Sequence, residues 1–98
     1  MAIEVVKSDI FNKWFLGLRD KKAKAIIDEH IYRITNDDMG KVRNVGGRIL
    51  EKKIYYGAGY RLYFINKNNV MIFLLCGGDK STQSKDIKLA QRIAKEIK

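Results

Sequence analysis

Glu51, Lys53, Arg61 and Lys80 are the side chains in this sequence whose types and spacing suit chemistry on a phosphodiester. Phosphodiester cleavage without a metal needs a base for a neighbouring 2′-hydroxyl, positive charge for the equatorial oxygens and help for the leaving 5′-oxygen. Arg61 is the candidate for charge, because a planar guanidinium keeps its proton and grips two oxygens at once. Lys80 suits charge stabilisation or protonation of the leaving group. Lys53 or Glu51 suits the base, the lysine only if burial or neighbouring cations bring its pKa well down. Lys52, Tyr55, Tyr63 and Gln83 are candidates for contacts to RNA. Tyr63 reads equally as packing, Gln83 as a helix-start residue and Lys52 as a side chain snorkelling from a sheet edge.

Alternation along two strands is what would gather these groups. Over Ile49 to Tyr56 it puts Glu51, Lys53 and Tyr55 on one face and Lys52, Ile54 and Tyr56 on the other. Over Tyr60 to Asn66 it puts Arg61, Tyr63 and Ile65 together, opposite Tyr60, Leu62 and Phe64. If Ile54, Leu62 and Phe64 pack beneath helices, then Glu51, Lys53, Arg61 and Tyr63 share an open face that Lys80 can reach. The result is a basic, aromatic-edged concavity suited to a phosphodiester with a base beside it. Arg61 is then an exposed strand residue whose exchange leaves the fold intact.

The elements needed to hold this face are legible. Ala2 to Val6 reads as a starting or edge strand. Ser8 or Asp9 caps a helix whose Phe11, Trp14, Phe15 and Leu18 form an apolar stripe. A second helix follows with Ala23, Ile26, Ile27, His30, Ile31 and Ile34 on one face. Val42 and Val45 mark a short strand before the Gly46-Gly47 turn. Gly57-Ala58-Gly59 closes a hairpin, and Lys67-Asn68-Asn69 makes the next turn. Val70 to Cys76, apolar on both alternating sets, predicts a central strand buried on both faces. After a Gly77 to Lys80 loop, Ile87, Ala90, Ile93, Ala94 and Ile97 mark a C-terminal helix. The order β-α-α-β-β-β-β-α predicts one α+β domain over residues 1–98, with a mainly antiparallel sheet, an N-terminal αα-hairpin and a C-terminal helix.

Twenty Lys and Arg against eleven acids give a net charge of +9, far more than solubility needs, so a polyanion is the expected partner. The longest apolar run is too short to span a bilayer and no signal pattern precedes it, which predicts a cytoplasmic protein with no membrane role. One histidine, His30, among isoleucines and one cysteine, Cys76, ending an apolar run leave no His-Cys cluster for a catalytic metal, so neither metal nor cofactor is expected. Gly77-Gly78-Asp79-Lys80-Ser81 lacks the spacing of a nucleotide-binding phosphate loop.

Phe11-Asn12-Lys13-Trp14, Leu18-Arg19-Asp20-Lys21, Val45-Gly46-Gly47, the Gly57 to Phe64 hairpin with its G-x-GYR-x-Y pattern, and Leu74 to Gln83 with its GGDKS-x-Q loop carry a resemblance over almost the whole chain. They resemble the HigB-like "addiction module killer" family of the RelE superfamily. The resemblance implies a microbial RNase-like RelE/ParE toxin fold, cleavage of mRNA in the ribosomal A site, and neutralisation by a cognate antitoxin, often a helix-turn-helix protein like HigA. Lys53 stands where that family more often has arginine, and Lys52 where it has an apolar residue. Two other readings compete: a ParE-like toxin that poisons a topoisomerase without cutting RNA, and a non-catalytic basic nucleic-acid-binding module. Against the module, the sequence has neither a helix-turn-helix nor the RNP pattern of an RRM.

Overall fold

A computed structural model describes residues 3–97 of the chain. The first strand, β1, is Glu4–Lys7; Ala2, where the sequence placed its start, lies outside the described residues. Two helices follow, α1 (Asp9–Leu16) and α2 (Lys21–Thr35), then four strands, β2 (Arg43–Gly46), β3 (Ile49–Ile54), β4 (Tyr60–Lys67) and β5 (Met71–Gly78). A 3₁₀ turn at Lys80–Thr82 leads into α3 (Gln83–Ala94). The five strands lie in the order β1-β5-β4-β3-β2, all neighbours antiparallel except β1 and β5. This is the expected α+β architecture. The central strand is β4, however, with β5 beside it.

Side-chain chemistry explains several of the boundaries. Ser8 caps α1 by accepting from the Phe11 N–H at 2.9 Å, and its hydroxyl donates to the Leu75 carbonyl at 2.6 Å, tying the helix start to β5. Asp20 caps α2 by accepting from the amides of Lys22 and Ala23. Asn68 and Asn69 both adopt positive φ in the turn from β4 to β5, which the Val70 N–H closes by donating to the Lys67 carbonyl at 3.0 Å.

Helices cover both sides of the sheet. Phe11, Ile27, Ile31 and Ile34 of α1 and α2 pack with Ile54, Leu62, Phe64, Ile72 and Leu74 on one side. On the other, Ala90 of α3, flanked by Ile87 and Ile93, packs with Ile49, Tyr63, Ile65, Leu75 and Cys76. The double coverage explains why β5 is apolar on both alternating sets. A register shift opposite Tyr63 and Phe64, which pair with Cys76 and Leu74, inserts Leu75 as a bulge, so that Leu75 and Cys76 both serve the α3 side.

The two glycines that end β5 are closely overlaid from opposite sides. A Cβ on Gly77 would lie 2.3–2.8 Å from the Trp14 ring, and one on Gly78 would lie 1.8 Å from Asp86 Oδ2. Both residues belong to the strand rather than to the expected loop. Gly77→Ala forces the indole off its strand; overpacking of this kind costs about 1–3 kcal/mol. Urea denaturation should show that loss together with a shift in the emission of Trp14, the single tryptophan. Unchanged stability and emission would refute the close packing.

Candidate functional site

Pairing of β3 with β4 sets Glu51 opposite Tyr63 and Lys53 opposite Arg61, so alternation does bring these four to one face. That face is not open. Lying against α3, Glu51 is 2 %, Arg61 6 % and Tyr63 0 % exposed, and only Lys53 remains at the surface. Tyr63 therefore belongs to the core beneath α3, and its ring offers no stacking surface for a base. The expectation that Arg61 is an exposed strand residue is likewise corrected. The cause is the apolar second side of β5, which must be buried and draws α3 across the sheet.

Glu51 is the hub of what lies beneath. One carboxylate oxygen is 3.1 Å from Arg43 on the neighbouring edge strand; the other accepts from Gln83 Nε2 at 2.9 Å and lies 3.8 Å from Arg61 Nε. Gln83, the first residue of α3, thus reaches into the network. Arg61 turns back on its own hairpin, donating from Nη1 to the Gly59 carbonyl at 2.7 Å. Arg61 Nε and the Tyr63 hydroxyl are buried without a hydrogen-bond partner. Burial, and then the adjacent Glu51 carboxylate, push the Tyr63 phenol well above its usual range, so it stays protonated.

Lys80 is exposed, and its backbone N–H donates to the Ala58 carbonyl at 3.3 Å. A Cβ on Gly59 would be 3.6 Å from both Arg61 Nη1 and Lys80 Cβ, so the hairpin tip sits between the two cationic side chains. Asp86, in the first turn of α3, is also buried; its carboxylate accepts from the Thr82 hydroxyl, while burial raises its pKa despite that bond.

The exposed Lys53 and Tyr55, the latter 89 % exposed, line a pocket of about 470 Å³ together with Glu51, Lys41, Arg43 and His30. Lys52 reaches the same pocket from the other face, as alternation required. Its ammonium is buried toward α2 and donates to the Met39 carbonyl; burial above all lowers its pKa. It is thereby separated from the Glu51 and Arg61 network. His30 is half-buried, with Nδ1 unpaired, and burial followed by Lys52 and Arg33 holds its pKa below the usual value, which favours the neutral ring.

Sequence reasoning missed Arg43 and Lys41. Their signal was positional: a short strand pairing with β3 must set one residue opposite Glu51, and that residue is Arg43. Among the described residues no group of three or more His, Cys, Asp and Glu side chains is placed to hold a metal ion. No described helix is long and apolar enough to cross a membrane.

What the arrangement offers chemically is a cationic corner, made by Lys53, Arg61, Lys80 and Arg43, around one buried carboxylate. No protein-family profile matches the chain. Its fold matches that of a mutant of the E. coli toxin RelE in the free state, with a TM-score of 0.73 and 14 % identity over 100 % of both chains. An uncharacterized protein of Haemophilus influenzae is 42 % identical over 97 residues, which are 99 % of this chain and 98 % of that protein. The chain therefore belongs to one family with this Haemophilus influenzae protein, and that family has the fold of the RelE toxin.

Proposed function

We propose that this chain is the toxin of a type II toxin-antitoxin pair, a metal-independent endoribonuclease of the HigB kind that cuts mRNA in the A site of translating ribosomes. The observation that carries this reading is the cationic corner of Lys53, Arg61 and Lys80 around Glu51 on a RelE fold. In this reading Lys53 and Lys80, which face solvent, meet the scissile phosphate. Glu51 serves less as a base than as the anchor of Arg61 and Arg43, because both its oxygens are already engaged. The ribosome supplies what the corner lacks, a means of holding the RNA in line. A helix-turn-helix antitoxin silences the protein in the cytoplasm by placing acidic groups over the corner.

The burial of Arg61 favours one second reading, a ParE-like toxin that binds a topoisomerase and cuts nothing. There Arg61 and Glu51 form a structural pair only. Induced without its antitoxin, the nuclease stops growth and leaves cuts in mRNA at codons occupied by ribosomes, read by primer extension. Growth arrest with intact mRNA and damaged DNA would replace the first reading by the second.

Arg61→Ala separates structure from chemistry less cleanly than an exposed residue would. Removing one partner of a buried ion pair costs on the order of 3 kcal/mol, so this variant should lose thermal stability as well as activity. Lys53→Ala and Lys80→Ala are the clean tests. Each should leave the melting temperature within a degree or two, since both side chains are exposed, yet slow single-turnover cleavage on ribosomes by about a hundredfold or more. Full activity in both would remove the exposed lysines from the chemistry, while Lys21→Ala on the outer helix face serves as the control.

A further inference from the structure

Away from the cationic corner, a groove of about 750 Å³ runs between α3 and the β2–β3 turn. Its turn wall is Gly46, Gly47 and Arg48; its helix wall carries Lys85, Lys88, Arg92 and Lys95, and no acidic residue lines it. Arg48 is committed to the end of the helix, donating to the carbonyls of Ala94 and Ile97, and Gln91 donates to the Val45 carbonyl. The two walls are thereby held at a fixed distance. Lys85, Lys88 and Arg92 of α3, and Lys95 just past its end, make no ion pair among the described residues.

The spacing of these cations is unfavourable for the helix itself. Lys85 with Lys88, Lys88 with Arg92, and Arg92 with Lys95 are like charges three or four residues apart, an arrangement that destabilises a helix. An ordinary solvated face intersperses both signs. The nearest acid at helical spacing, Glu96, four residues beyond Arg92, does not pair with it. Lys85 also lies in the first turn, where the helix dipole disfavours a cation, whereas Arg92 and Lys95 stand at the end the dipole favours. The unpaired like-charge neighbours along the row are accounted for by an anionic partner outside the chain.

We propose that this groove is a docking track for the sugar-phosphate backbone of single-stranded RNA, distinct from the cationic corner and leading to it. The row from Lys85 to Lys95 spans about 15 Å at the rise of an α-helix, enough for several phosphates. It begins two residues from Gln83, whose side chain bonds Glu51, so a strand lying on the row arrives at the corner. The groove residues include no aromatic side chain, so there is no platform for stacking bases and binding is indifferent to sequence. The inference deepens the proposed function by giving its RNA a second point of attachment, yet it concerns binding alone.

The test is fluorescence anisotropy of a labelled twelve-nucleotide single-stranded RNA with the full chain across a salt series, without ribosomes. Lys88→Gln/Arg92→Gln/Lys95→Gln should reduce the slope of log affinity against log salt by about 2, three contacts at about 0.7 each, and weaken binding about tenfold or more at moderate salt. Its melting temperature should hold or rise, because the like-charge contacts are gone. Lys7→Gln/Lys21→Gln/Lys67→Gln removes the same net charge elsewhere and should lose far less. Equal losses in the two triple variants would mean diffuse attraction and overturn the track. So would tight binding of an acidic polyglutamate peptide that is lost in the groove variant while RNA binding persists, since the groove would then be a protein-docking surface. A chain that binds RNA in this way yet never cuts mRNA would uphold the track and reject the nuclease.

Discussion

The contact on which the rest of the molecule depends is the approach of the first turn of α3 to the end of β5. Asp86 occupies the space a side chain on Gly78 would need, and on the other side of the strand Trp14 does the same over Gly77. Two adjacent glycines, whose side-chain directions alternate, let both helical layers touch the sheet at one place. The cost of seating Asp86 there shows in its raised pKa, offset in part by the Thr82 hydroxyl. Once α3 is seated, the fate of the neighbouring polar residues follows. Gln83 falls on Glu51, Tyr63 is sealed, and Arg61 is folded onto its own hairpin.

Burying Glu51 constrains the cations around it. A carboxylate taken out of water must be paired or hydrogen-bonded, and here two arginines and an amide do so from three different elements. The pairing is incomplete, because Arg61 Nε, though within ion-pair distance of Glu51, and the Tyr63 hydroxyl have no hydrogen-bond partner. Each unpaired buried polar atom costs about 1–3 kcal/mol, so the covered arrangement holds these groups less firmly than their burial suggests.

Much of the fold was legible because its signals are local. The stripe from Phe11 to Leu18, the paired asparagines after Lys67 and the glycines at 57 and 59 each specify one element, and alternation correctly set Glu51, Lys53, Arg61 and Tyr63 on one face. What failed was the inference that this face is open. The contrary signal was present: a strand apolar on both sets, as Val70 to Cys76 is, requires cover on both sides, and the C-terminal stripe of Ile87, Ala90 and Ile93 was the available cover. The Leu75 bulge was not legible, since a slipped residue in an apolar run leaves no trace in polarity. Lys52 illustrates a second limit. Its face was read correctly, but charge alone suggested RNA, whereas its ammonium closes the chain before β2 by bonding Met39.

The excess of positive charge is divided by the fold into two kinds. Some cations are internal partners: Arg61 and Arg43 serve Glu51, Arg48 serves the end of α3, and Lys52 serves a loop carbonyl. These explain why a sheet and helix with so many like charges hold together, and each is tied to a definite atom. Others, including Lys53, Lys80 and the row along α3, are exposed and without an ion-pair partner among the described residues. Mutual repulsion among this second set disfavours the folded chain, and it falls when a polyanion takes the place of small counterions. The same sequence thus uses arginine mainly where a fixed, directional partner is present and lysine mainly where the partner must come from outside, in keeping with a rigid fork on one side and a flexible point charge on the other.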